Sequence, residues 1–227
     1  MIKVNQVCST CEAEWVRGVD IVGVCLGDAE QHGRRTVTRE QFEEIKCATS
    51  ASIALAIDES AEVSDKDLPD VIGSLRPNYY EFTPCDPEKS GAFERQLAVV
   101  RGVGVPGIAN GFFLLKDEVS LVRRTAHLDR LVEAGVRFFQ VEVDSLLDPR
   151  FRISSSHETM IADLFARYPF IVNDKFSHLN GPLDVNQAGL YLKYRQQGAQ
   201  ELRLFQPVLH PLSGREADQV RVGTLRL

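Results

Sequence analysis

The sequence, 227 residues long, has no apolar run of the roughly 18 residues that a membrane-spanning helix needs. It has no run of Lys and Arg, and its formal net charge is −6. That balance argues against a general nucleic-acid binder, which carries a basic stripe. The opening stretch Met1-Ile2-Lys3-Val4-Asn5-Gln6-Val7-Cys8 is too short and polar for a signal peptide. The expectation is a soluble, cytoplasmic protein with no nucleic-acid or membrane partner.

Motifs are equally sparse. There is no P-loop, no Gly-x-Ser-x-Gly elbow and no Gly-x-Gly-x-x-Gly, so no ready-made phosphate cradle, hydrolase turn or dinucleotide fingerprint. The five histidines are scattered, none at a metal-binding spacing, and each reads as a surface or helix-end residue. The five cysteines are an odd count, which in a cytosolic chain reads as thiols. Cys8 and Cys11 form a Cys-x-x-Cys, but no second pair completes a zinc site. Cys25 and Cys47 read as small buried apolar residues. No metal and no cofactor is expected.

What is present is a regular alternation. Hydrophobic residues make up 44% of the chain, enough for a sizeable core. Apolar runs at 2–8, 20–26, 52–58, 79–83, 107–114, 138–144, 170–173 and 201–206 read as strands covered on both faces. Helical periodicity lies between them. Thr38 with Gln41 makes a capping-box pattern, and Gly135 ends a helix that starts near Ser120. The segments 156–168 and 184–197 read as two further helices. Eight strand–helix rounds without a linker or low-complexity segment predict an α/β fold: a single-domain (β/α)8 TIM barrel over residues 1–227. Such barrels build their sites at the C-terminal strand ends. Those ends carry Cys8, Asp28, Asp58, Glu81, Thr83, Asn110, Asp144, Asp174 and Lys175, with Arg35 in a nearby loop. Glu142 and Asp144 share one strand face, where Lys3 or Arg137 could pair with such a charge.

Four segments resemble the phosphoribosylanthranilate isomerase family, the tryptophan-biosynthesis barrel. Gln6-Val7-Cys8-Ser9 stands where that family has Lys-Ile-Cys-Gly. Trp15-Val16-Arg17-Gly18-Val19-Asp20-Ile21-Val22-Gly23 resembles its first helix-to-strand joint, and Gly33-Arg34-Arg35-Thr36-Val37-Thr38 its Ser-x-Arg-x-Val-Ser/Thr. Val141-Glu142-Val143-Asp144-Ser145 resembles its Leu-Leu-Asp-Ser/Thr. The resemblance implies an Amadori-type aldose-to-ketose isomerase. Asp144 would be the general acid and Cys8 the general base, with its thiol pKa lowered beside a cationic intermediate. Arg35 would face a substrate anion.

The family's phosphate-binding glycines are missing. In their places stand Ile153-Ser154-Ser155-Ser156-His157, Asn173-Asp174-Lys175 and Phe205-Gln206-Pro207. Glu81 replaces a polar residue of the fourth strand. The resemblance therefore implies an altered small-molecule substrate, a phosphorylated or carboxylated sugar-amine, contacted by Arg35, Glu81, Ser155, Asp174 and Lys175. A barrel lyase or cyclase acting on a small organic acid through Arg35, Asp144 and Lys175 is a second reading. A non-catalytic ligand-binding barrel is a third. The expected assembly is a monomer or homodimer.

Overall fold

The computed structural model describes residues 1–28, 35–113, 118–142, 154–173 and 188–193. They fall into two compact units, Met1–Glu81 with residues 191–193, and Phe82–Leu190.

The first unit alternates strands and helices: β1 (Ile2–Asn5), α1 (Thr10–Trp15), β2 (Ile21–Leu26), α2 (Arg39–Ala48), β3 (Ser52–Ile57), α3 (Leu68–Leu75) and β4 (Tyr79–Phe82), whose last residue opens the second unit. Neighbouring strands pair in parallel, β1 with β2, β2 with β3 and β3 with β4. Each helix is placed by local chemistry. The Ser9 side chain accepts from the Glu12 N–H and caps α1. At α2 the Thr38 side chain accepts from the Gln41 N–H while the Gln41 side chain accepts from the Thr38 N–H. This is the reciprocal capping box that the sequence predicts. Phe42 and Ile45 of α2, and Val71, Ile72 and Leu75 of α3, turn into the core. Before β4, Asn78 pairs like a strand residue: its N–H donates to the Ile53 carbonyl, and its side-chain oxygen accepts from the Ile53 N–H at 2.7 Å.

The second unit holds α4 (Ser90–Gly102), β5 (Gly107–Phe113), α5 (Glu118–Glu133), β6 (Val136–Glu142), α6 (Ser155–Arg167), β7 (Phe170–Asn173) and the start of β8 (Gly189–Lys193). Its strands are again parallel, β5 with β6, β6 with β7 and β7 with β8. Gly135, at φ +104°, gives the left-handed turn that ends α5 and starts β6. Phe112, Phe139, Phe165, Tyr168 and Phe170 form one aromatic cluster, with ring centroids 4.8–6.3 Å apart along its contacts. Asp129 of α5 ties this unit's helices together, accepting from Arg167 at 2.8 Å and from the Tyr168 hydroxyl at 2.7 Å.

The first seven strand readings agree with the structure to within three residues at each end. One element is corrected. The segment 184–197, read as a helix, contains β8. Its Gly189-Leu190-Tyr191-Leu192-Lys193 pairs with β7, Ile171 opposite Gly189 and Val172 opposite Leu190. An open edge on β7 favours a β-prone run over a loose helical period. The eighth strand candidate, 201–206, lies outside the described residues. Two further readings fail. Cys47 is exposed and Cys25 half-buried, not apolar core. His127 is buried within α5, neither a surface nor a helix-end residue, whereas His157 lies in the first turn of α6, a helix end, though buried. Among the described residues, no helix is long and apolar enough to cross a membrane.

Candidate active site

β1 ends at Asn5, three residues before Cys8. The chain then makes a turn that is held from several sides. Gln6 adopts φ +65°, a left-handed conformation that an L side chain disfavours. Its carbonyl accepts from Arg35 Nε at 2.9 Å and from the Cys8 thiol at 3.4 Å. The Cys8 N–H donates to Glu12 Oε2 at 2.8 Å, and the same oxygen forms an ion pair with Arg35 Nη2. Buried Val7 donates its N–H to the Gly23 carbonyl and pins the turn to β2.

Arg35 reaches this turn because its own segment folds back along β2. Val37 forms a parallel bridge with Leu26, its N–H donating to the Cys25 carbonyl at 2.8 Å. The Thr36 hydroxyl donates to the Asp28 carbonyl. Two Arg35 nitrogens therefore engage the chain itself. Arg35 braces the Cys8 turn as well as lending it positive charge.

The Cys8 thiol is half-buried. Burial pushes its pKa up to about 11, more than the Arg35 charge pulls it down, and the Glu12 carboxylate adds to the rise. In the ligand-free protein this cysteine is a thiol, not a thiolate.

A second polar cluster lies on one face of β1–β4. Register places Ile21 beside Lys3 and Ser52, Gly23 beside Ala54, Ala54 beside Tyr79, and Cys25 and Glu81 on either side of Ala56. Side chains paired this way share a face. The alternate positions Val4, Val22, Val24, Ile53 and Leu55 fill the opposite, apolar face. On the first face the small Gly23, Ala54 and Ala56 and the polar Lys3, Ser52 and Glu81 stand beside Ile21 and Tyr79.

Lys3 is fully buried on that face. Its Nζ contacts the Glu81 carboxylate at 2.6 Å and donates to the Asn5 side-chain oxygen. Burial lowers the Lys3 pKa, and Glu81 opposes that shift. Gly23 is required here: a Cβ would stand 2.5 Å from Asn5 Oδ1 and 3.1 Å from Lys3 Nζ. Lys3 thus pairs with Glu81 of β4.

Of the residues singled out by sequence, the structure brings Cys8 and Arg35 together and seats Glu81 on Lys3. Ser155 is the first residue of α6 and is exposed, with Ser154 capping that helix. Asp144, Asp174 and Lys175 lie outside the described residues. Asp58 and Ser9 turn out to cap a short 3-10 helix and α1 respectively. In the second unit Thr83 donates its hydroxyl to Asn110 Oδ1 at 2.5 Å. Sequence reasoning missed Glu12, Asn5 and Gly23. Glu12 had a signal: it stands three residues after Ser9, at capping-box spacing. In the second unit a groove of about 260 Å³ between α5 and α6 is lined by Val122, Thr125, Met160, Asp163, Leu164 and Arg167.

No family model and no curated protein matches the sequence. Among solved structures, the chain is similar to a phosphoribosyl anthranilate isomerase from Thermococcus kodakaraensis, at 13% identity and TM-score 0.57, covering 92% of this chain and 97% of that one. It is also similar to the N-terminal domain of a putative aldolase from Bacteroides vulgatus, at 10% identity and TM-score 0.56, covering 93% of this chain and 80% of that one. At such identities the likeness concerns fold alone: an α/β, TIM-barrel-like arrangement of parallel strands and helices.

Proposed function

We propose that the chain is a single (β/α)8 barrel enzyme that isomerises a small sugar-amine from aldose to ketose form, with Cys8 as general base and Asp144 as general acid. Arg35, Glu81, Ser155, Asp174 and Lys175 would contact the substrate, and no cofactor is called for. The observation that carries this reading is the Cys8 turn. A left-handed Gln6, an Arg35–Glu12 ion pair and a thiol donating to a carbonyl hold one sulfur in a fixed place beyond β1. Strain retained at a strand end is a mark of a working site.

The high thiol pKa sets a condition on the mechanism. Cys8 would pass its proton to solvent once positive charge arrives beside it and lowers the thiol pKa. An N-glycosylamine supplies that charge: protonation of its ring oxygen opens the sugar and leaves an iminium. The thiolate then takes the C2 proton, and the enol-amine collapses to the ketone. The site would be cytoplasmic, its protein a monomer or homodimer.

A thermal-shift comparison of phosphorylated and non-phosphorylated N-glycosylamines tests the altered-substrate part. Stabilisation by the non-phosphorylated compounds is expected. Stabilisation by the phosphorylated ones alone would return the chain to the ordinary family substrate. The Lys3–Glu81 pair favours a second reading, a lyase acting on a small organic acid, since a buried amine beside a carboxylate suits carbonyl chemistry.

A further inference from the structure

Two of the three large apolar side chains exposed among the described residues, Val122 and Val132, lie on α5, at 61% and 46% exposure. With Thr125 and Asp129 they recur at i, i+3, i+7 and i+10, a spacing that lines one side of a helix. On α6, Met160, Asp163, Leu164 and Arg167 recur at i, i+3, i+4 and i+7. The groove between α5 and α6 has Val122, Met160 and Leu164 as its apolar lining. Its charged members, Asp163 and Arg167, are exposed. Asp163 has no ion-pair partner among the described residues, and Arg167 engages Asp129 through Nη2 alone. That contact spans 38 positions, so residues 38 apart on the two helices stand at about the same level. The helices run in the same direction, each returning between parallel strands.

Both stripes are self-complementary when reversed. If two α5 helices pair antiparallel about the level of His127, Val122 of each meets Val132 of the other, and Thr125 meets Asp129. If two α6 helices pair antiparallel about the level of Phe165, Asp163 of each meets Arg167 of the other. His127 and Phe165 are themselves 38 positions apart, so one two-fold axis serves both helices. We propose that this face binds a second copy of the chain about that axis, as an isologous interface. The two exposed valines then cover each other, and two Asp163–Arg167 pairs flank the axis. In projection the two helices, 16 and 13 residues long, span about 20 Å by 20 Å, roughly 400 Å². That is half of the ~800 Å² per partner in a standard interface, so the dimer is a weak one that depends on concentration. This inference goes beyond the isomerase reading and uses none of its residues, so either can fail alone.

The test is sedimentation velocity on the full-length chain across a dilution series. A dimer is expected at about 100 µM and a monomer near ~1 µM, the range of a small interface. Val132→Glu sets a carboxylate against an apolar partner, and Asp163→Lys sets like charges together at two symmetric places. Each is expected to weaken the dimer about tenfold or more. Both positions are exposed, so the monomer's thermal unfolding midpoint is expected to hold. The axis is tested by mild oxidation of Val122→Cys chains mixed with Val132→Cys chains, with disulfides mapped by peptide mass spectrometry. A link between positions 122 and 132 is expected in the mixture. None is expected between like positions, which stand about 15 Å apart along the helix. A monomer at every concentration overturns the proposal, as does a dimer that neither Val132→Glu nor Asp163→Lys weakens. A dimer without the 122–132 link overturns the antiparallel axis.

Discussion

Arg35 donates from Nε to the carbonyl of Gln6 at 2.9 Å, across 29 positions of sequence. The contact joins the segment after β2 to the turn after β1, and Glu12 closes it from the other side. A guanidinium suits this work because its nitrogens point along fixed directions. The Cys8 environment therefore depends on residues that never touch the sulfur through a bond.

The Glu12 and Arg35 charges act on the thiol in opposite senses. Glu12→Gln is expected to lower the Cys8 pKa from about 11, and Arg35→Met to raise it. The pH dependence of iodoacetamide labelling, read on the Cys8 peptide, measures both.

Gln6 holds its left-handed φ without a glycine's freedom. Gln6→Gly relieves strain of about 1 kcal/mol, part of which the more flexible unfolded chain offsets. A small rise in the urea midpoint is expected, with Cys8 labelling unchanged.

Gly23→Ala places a methyl group 2.5 Å from Asn5 Oδ1 and 3.2 Å from the Asn5 Cα. Asn5 and Lys3 must both move, at a cost of about 1–3 kcal/mol. Urea unfolding is expected to show that loss.

His127 of α5 is buried edge-on against Phe93, with ring centroids 4.5 Å apart, and its Nε2 has no hydrogen-bond partner among the described residues. Burial lowers its pKa to about 4, helped by Arg124 and Arg130 and opposed by Asp86. The unfolded chain then binds the extra proton between about pH 6.5 and 4, and the folded chain does not. Stability is full above that window and falls through it as pH drops, by up to about 3 kcal/mol. Urea midpoints across this range should slope for the wild type and flatten for His127→Leu.

Much of this fold is legible in the sequence because strands and helices alternate with distinct caps. The Thr38–Gln41 box and Gly135 are local signals, and the structure realises both. β8 was not legible: its five residues sit inside a segment with helical spacing, and only pairing with β7 decides between the two. The site was legible only in part. Cys8 and Arg35 stand out as strand-end and loop residues, yet nothing local says that Arg35 bonds the Gln6 carbonyl. β2 was read as uniformly apolar. After Ile21 it alternates in size, Gly23 and Cys25 on one face against Val22, Val24 and Leu26 on the other. That pattern acquires meaning only once Lys3 and Asn5 are seen lying over Gly23. The rise in the Cys8 pKa depends on burial, which spacing does not encode.

The most direct measurement is solvent deuterium incorporation during turnover of N-glycosylamines, phosphorylated and not, by the wild type, Cys8→Ser and Asp144→Asn. Wild-type protein in D2O is expected to yield the amino-ketose with one deuterium at C1, and both folded variants to yield none. An absence of wild-type turnover across the panel, or full turnover in both variants, would contradict the account.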